Sequence, residues 1–259
     1  MSPLLRRLYS DYGMPSRLRA HERLICAARD AGYLQTSVRD FFDHTRTSQP
    51  ATSTFIVHRH DIDTDLRTTR KLFEMEKKYG VKASYYFRLS TLDFGLMREI
   101  EEYGSEASYH YEEVASFAKK NKIKDPALVR DCLPEIRNVF RKNFQWFERQ
   151  LGKKLRTVAG HGDFVNRRLK VNNTEILADR QLREECGIEC EAYDRTLLDH
   201  IDMYIVDQPP PQYYCPTSPL NVVAARRSIC LVTHPRQFET NWKENTKDNL
   251  FRVYEAVTW

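Results

Sequence analysis

Long apolar runs are missing from this chain of 259 residues. Nothing in it approaches the roughly 20 apolar residues that a membrane-spanning helix needs. The early basic pair in "MSPLLRRLYS" leads into no apolar stretch of the kind a secretory signal carries, so no transmembrane segment and a cytoplasmic location are expected. Cysteine is sparse and scattered. The six positions, Cys26, Cys132, Cys186, Cys190, Cys215 and Cys230, suggest free thiols in a reducing compartment rather than a disulfide framework. Only "CGIEC" brings two of them close, and no second cysteine or histidine pair completes a zinc knuckle. One-signed charge is lacking as well: the formal net charge is +5. "AKKNKIKD" and "FVNRRLK" read as solvated faces, with an anionic ligand as the alternative. Neither amounts to the concentrated basic face of a nucleic-acid binder, so no nucleic-acid partner is expected. Repeats and low-complexity tracts are absent too.

The chain does contain an alternation of short apolar strands and helices. "STFIVHRH" precedes the helical "DLRTTRKLFEMEKKYG", with Leu66, Leu72, Phe73 and Met75 for an inner face and Gly80 as its stop. "KASYYFRL" and "FGLMREIEEYG" repeat the pattern, followed by the strand "SEASYH". A long amphipathic segment, "PALVRDCLPEIRNVFRKNFQWFERQLG", spaces Leu128, Cys132, Ile136, Val139, Phe140, Phe144 and Phe147 helically, with Pro134 set to kink or split it. The strand "KLRTVAGHGD", the helix "NTEILADRQLREECG", the strands "DMYIVD" and "SICLVTHP" and an amphipathic helix, "ENTKDNLFRVYEAV", complete the series. Such alternation predicts an α/β fold with a parallel sheet, as a barrel or a doubly wound open sheet. One domain over residues 1–259 is expected, with residues 1–50 as a helical extension packed on it. The proline-rich residues 207–221 read as a surface loop that turns Tyr213 and Tyr214 toward a substrate.

Ligand-type side chains collect where strands end. "HRHDID" crowds His58, His60, Asp61 and Asp63 together, His110 closes "ASYH", His161 lies in "AGHGD", and His234 ends "LVTH". Asp and His are expensive to bury alone, so several of them along one strand edge must be solvated, mutually paired or gathered on a cation. In a parallel barrel those ends share a single rim, where residues distant in sequence meet.

The order HDID, "SYHYEE", "AGHGDF" and "VTHP", over roughly residues 55–238, resembles the polysaccharide deacetylase superfamily, the family four carbohydrate esterases, in a divergent branch with an HDxD first motif. The resemblance implies a distorted parallel (β/α) barrel, a divalent metal that is usually Zn2+, and hydrolysis of an N-acetyl group from a sugar. It would make Asp61 the catalytic base and Asp63 a metal ligand with His110. The family's second histidine falls on Val114, so a further ligand is needed: His161, favoured because glycine flanks it on both sides, or Glu112. His234 matches the general-acid histidine. Asp207 would orient a histidine or cap its strand, His60 would be a ligand or support one, and Tyr111 would join Tyr213 and Tyr214 in binding substrate. Without a secretory signal, the implied substrate is a carbohydrate still under construction, linked to nucleotide or lipid phosphate, for capsule or other surface polysaccharide. Two other readings fit parts of the pattern: a barrel that only binds carbohydrate, and a glycosyltransferase that uses "DID" to hold a metal, which would leave the three rim histidines without a task.

Overall fold

The computed structural model of the chain describes residues 3–47 and 53–259. Its central strand, Phe55–Ile62, is buried along its whole length. Alternation along a strand sends successive side chains to opposite faces. Ile56, His58, His60 and Ile62 therefore meet helices on the outer face, while Phe55, Val57, Arg59 and Asp61 turn into a hollow.

The strands, in chain order, are β1 (Leu34–Thr36), β2 (Phe55–Ile62), β3 (Ser84–Phe87), β4 (Glu106–Tyr111), β5 (Thr157–Gly160), β6 (Cys190–Glu191), β7 (Met203–Asp207), β8 (Tyr214–Cys215) and β9 (Ile229–Thr233). They run β6-β5-β4-β3-β2-β9-β7-β8 across one sheet, with β1 beside the start of β2. Every pairing is parallel except β7 with β8. The sheet curls into a half-barrel. From mid-sheet, Arg59 reaches the hydroxyls of Tyr193, just past β6, at 3.1 Å and of Tyr204 on β7 at 3.4 Å. Those two rings lie 6.2 Å apart, so side chains rather than backbone ladders draw the two flanks together.

The α-helices are α1 (Pro3–Leu8), α2 (Leu18–Asp30), α3 (Val38–Thr45), α4 (Leu66–Lys78), α5 (Phe94–Tyr103), α6 (Glu113–Asn121), α7 (Pro126–Asp131), α8 (Leu133–Leu151), α9 (Phe164–Leu169), α10 (Arg180–Cys186), α11 (Arg195–Leu198), α12 (Pro219–Ala224) and α13 (Trp242–Thr258). Local chemistry sets their ends: the Asp65 and Asp93 side chains accept from the backbone of Thr68 and Leu96, and Gly104 adopts φ 93° to end α5. Outside the curl, Tyr85, Phe87, Tyr109 and Tyr111 pack on Phe73, Ile100, Phe140 and Phe147, while Ile205, Ile229 and Leu231 pack on Leu24 of α2 and Val222 of α12. Inside, Phe41 of α3 and Leu197 of α11 fill the hollow against Val57, Tyr86 and Ala159. Helix α3 seals the amino end, where the backbone N–H of Val38 donates to Ser84 Oγ at 2.8 Å and that of Arg39 to Glu106 at 3.2 Å. The carboxyl end stays open. Among the described residues no helix is long and apolar enough to cross a membrane, and all six cysteines are free thiols.

Several expectations need correction. The long amphipathic segment does split in two, as expected from Pro134, with that proline in the first turn of α8, but Leu128 and Val139 of its helical stripe are exposed. "NTEILADRQLREECG" is a 3-10 turn followed by α10, interrupted at Asp179. The apolar residues of α13, Phe251, Val253 and Tyr254 among them, face solvent, because Asn245 is the only fully buried position on that helix. Of the expected extension over residues 1–50, residues 1–2 and 48–50 lie outside the described residues, and the rest does more than pack on the sheet, since Leu34 pairs with Phe55 and makes β1 part of it.

His60 lies on the face opposite Asp61. Its Nε2 is 2.8 Å from Glu76 Oε1, which His21 Nε2 also approaches at 2.9 Å, and the Tyr85 hydroxyl donates to the other carboxylate oxygen. All four groups are buried. Burial disfavours the Glu76 charge, but His60 and then His21 outweigh it and hold this carboxyl well below the usual range. Removing one partner of a buried charged network strands the others, so Glu76→Ala is expected to lower stability by about 3–5 kcal/mol. Urea denaturation measures this, and a loss under about 1 kcal/mol would show that the network contributes little.

Candidate metal centre

Four strands deliver side chains to the open end of the hollow. Asp61 is the penultimate residue of β2 and Asp63 follows that strand, its backbone N–H donating to the Asp61 carbonyl at 3.0 Å. His110 stands opposite Ala159 in the β4–β5 ladder, His161 leaves β5, and His234 leaves β9.

The His110 ring fixes the chemistry of the cluster. Its Nδ1 lies 2.9 Å from the Ala159 carbonyl, an acceptor only, so Nδ1 carries the proton. Burial, the largest influence, pushes the His110 pKa down to about 4, which keeps the ring neutral. The Nε2 lone pair then points at Asp63 Oδ1 and Asp61 Oδ2, each 3.5 Å away, and at His161 Nδ1, 3.2 Å away. His161 Nδ1 is itself 3.0 Å from Asp63 Oδ1. Asp63 is anionic: burial works against its charge, but His161, and behind it His234 and His110, hold the carboxyl well below the usual range. Its Oδ1 is buried without a hydrogen bond. A proton on His161 Nδ1 could serve one of these neighbours; a cation serves all three. Asp63, His110 and His161 have ligand atoms within 4.8 Å of one another, the mixed set with an open position that a catalytic zinc prefers. The Ala159 carbonyl orients the His110 ring as carbonyls orient metal-bound imidazoles.

Two charged pairs flank this cluster. Arg59 grips Asp61 through Nε to Oδ1 and Nη2 to Oδ2, both at 2.8 Å. Burial raises the Asp61 pKa, but Arg59 and then His110 more than reverse it, so this carboxyl is lowered and ionised. Asp207 holds His234 twice, accepting from its backbone N–H at 2.6 Å and lying 2.7 Å from its Nδ1. Burial opposes the His234 charge, yet Asp207, with Asp63 and Asp61 behind it, raises its pKa to about 10. His234 Nε2 faces Asp63 Oδ2 at 4.0 Å.

The other expected residues fall elsewhere. Glu112 is held by Arg88 through Nε at 3.1 Å and Nη2 at 2.6 Å, and forms a second possible ligand group with His161 and Asp163. His60 belongs to a third such group, with His21 and Glu76, on the outer face. Tyr111 is not a substrate contact: it follows His110, so it points to the other side of β4 and is fully buried beside Phe140. Tyr214 is buried in the apolar cluster around Leu24, and Tyr213 lies under the Arg17 guanidinium, 4.1 Å from its ring centroid. The segment expected as a plain loop therefore contains β8, which pairs Asp207 with Tyr214. Val114 is buried in the outer core, away from the cluster. Of the two glycines beside His161, one is sterically required: a Cβ on Gly160 would come 3.1 Å from Thr174 and 3.4 Å from Tyr111, whereas one on Gly162 would meet nothing within 4 Å.

Sequence reasoning passed over Arg59, Arg88 and Asp163. Arg59 was discoverable, since it lies two places before Asp61 on the same strand face. The choice of third ligand can be tested by metal affinity. His161→Ala is expected to weaken zinc binding by roughly a hundredfold or more and Glu112→Ala by roughly tenfold at most, because supporting groups matter less than ligands. Competition with a chelator measures both, and the reverse order would move the site to Glu112, His161 and Asp163. No family model matches the chain, and no curated protein matches it.

Proposed function

We propose that the chain is a metal-dependent hydrolase that removes an N-acetyl or similar acyl group from a sugar, and that the half-barrel is a distorted (β/α) barrel of the polysaccharide deacetylase type. The observation that carries this reading is the convergence of the His110 Nε2 lone pair, Asp63 Oδ1 and His161 Nδ1, with one ionised carboxylate and one protonated imidazole on either side. Asp63, His110 and His161 would hold the ion, zinc in this reading. Such an ion lowers the pKa of a bound water and polarises an acyl carbonyl.

The chain's own groups supply the proton transfers of amide hydrolysis. Asp61 accepts the proton of the attacking water at Oδ2, the oxygen that faces His110, while Arg59 fixes the carboxylate plane. His234 donates from Nε2 to the departing nitrogen as the C–N bond breaks, and Asp207 holds the ring by Nδ1. Water is added across the amide; the products are the free acid and the amine.

The test is acetate release from a panel of N-acetylated sugars by protein carrying one equivalent of zinc. His110→Ala, which removes the ligand anchored to Ala159, should lose stoichiometric zinc and all measurable release. Equal zinc content in wild type and variant, or no release by loaded wild type from any member of the panel, would overturn the proposal.

A further inference from the structure

A cavity of about 390 Å³ opens directly beside the cluster, with Asp63 and His161 on one wall and the exposed side of α13 on the other. Its carboxylates are largely neutralised. Lys119 pairs with Asp163 at 3.0 Å and with Glu255 at 2.6 Å, and Asp248 receives Arg236 and, at 2.8 Å, Arg252. Two lining cations have no such counterpart. Arg167 and Arg168 are exposed and make no ion pair with a carboxylate among the described residues. Arg167 reaches only the Gly162 carbonyl, at 3.4 Å, and Arg168 Cζ lies over the Phe164 ring, 5.4 Å from its centroid. Its Cζ also lies 5.7 Å from the Trp259 ring centroid, and among the described residues no hydrogen bond occupies the Arg168 guanidinium. Planar guanidinium groups present paired N–H donors that match a phosphate, and two of them on one wall next to a hydrolytic centre form a receptor for a substrate with an anionic arm.

We propose that this cavity is a phosphate subsite, in which Arg167 and Arg168 bind the phosphate ester or diphosphate of a phosphorylated N-acyl sugar while its acyl group reaches the cluster. The assignment of the acyl group rests on the hydrolase reading above; the phosphate contact rests on the cavity wall alone. Phe164 beside the two arginines and Phe251 of α13 across the cavity provide apolar surface for the sugar faces.

Equilibrium binding of inorganic diphosphate, N-acetylglucosamine 1-phosphate and N-acetylglucosamine to the zinc-loaded protein tests the subsite. Wild type should bind both phosphorylated probes at least about tenfold more tightly than the free sugar, the scale of one or two charge-assisted contacts. In Arg167→Gln/Arg168→Gln that preference should collapse, and in Arg167→Lys/Arg168→Lys part of it should persist. Diphosphate bound equally by wild type and the glutamine variant, or not bound by wild type, would overturn the subsite. Acetate release from a sugar 1-phosphate, a nucleoside diphosphate sugar and a short prenyl-phosphate sugar then identifies the source of the phosphate. Arginine-dependent binding with no release from any of them would sink the hydrolase reading and leave the subsite standing. Release without any preference for phosphate would do the opposite.

Discussion

Asp61→Asn is expected to keep its zinc and lose roughly a hundredfold or more in turnover, the usual scale for a single general base. Asparagine preserves the shape but cannot accept the proton of water. Asp61 is not among the three groups that would hold the ion, so metal content should stay near that of wild type. The substitution also leaves the buried Arg59 guanidinium without its counter-charge, and breaking such a pair costs about 3–5 kcal/mol. Turnover must therefore be taken per folded, metal-loaded molecule, below the variant's own melting temperature. Wild-type turnover in that folded fraction would refute the role given to Asp61.

His234→Ala should show a comparable loss, again with zinc retained, because it removes the group proposed as proton donor. Its pH dependence gives a second readout. A group raised to about 10 stays protonated through neutral pH and loses its proton as pH rises through that value, so turnover should fall on the alkaline side. An ion on Asp63 cancels part of the attraction that raises His234, which places the working limb below 10. In Asp207→Asn the largest supporting charge is gone, the His234 pKa drops, and the alkaline limb should move toward neutrality. On the acid side Asp61 remains ionised below the ordinary carboxylate range, so the fall should coincide with zinc release as His110 protonates. Unchanged alkaline limbs in both variants would rule out His234 as the donor.

The rim was legible because its residues are costly in apolar company: Asp61, His110, His161 and His234 each end a run that otherwise reads as core. The strands bearing them were readable for the same reason. β1, β6 and β8 were not, since two or three residues carry no alternation to recognise. Tyr111 was misread although the rule that excludes it was at hand, for a neighbour of an inward His110 must point outward. Glu76 resembled any charge on the polar side of an amphipathic helix, and nothing local in α4 reveals that two histidines from elsewhere converge on it. The curl of the sheet, open in its strand path, is drawn together by Arg59, Tyr193 and Tyr204 meeting across the hollow, which pattern alone does not show.

The strand order also bears on how the chain is made. β2, complete by residue 62, has β9 as one of its two long neighbours, and β9 begins only at Ile229. Most of the polypeptide must therefore leave the ribosome before the middle of the sheet can close. Until then the β2 backbone on that side is an unpaired template for other chains, and the rim lacks His234. Synthesis arrested before residue 229 should yield a product prone to aggregation, with the rim cluster completed only by the last strand to emerge.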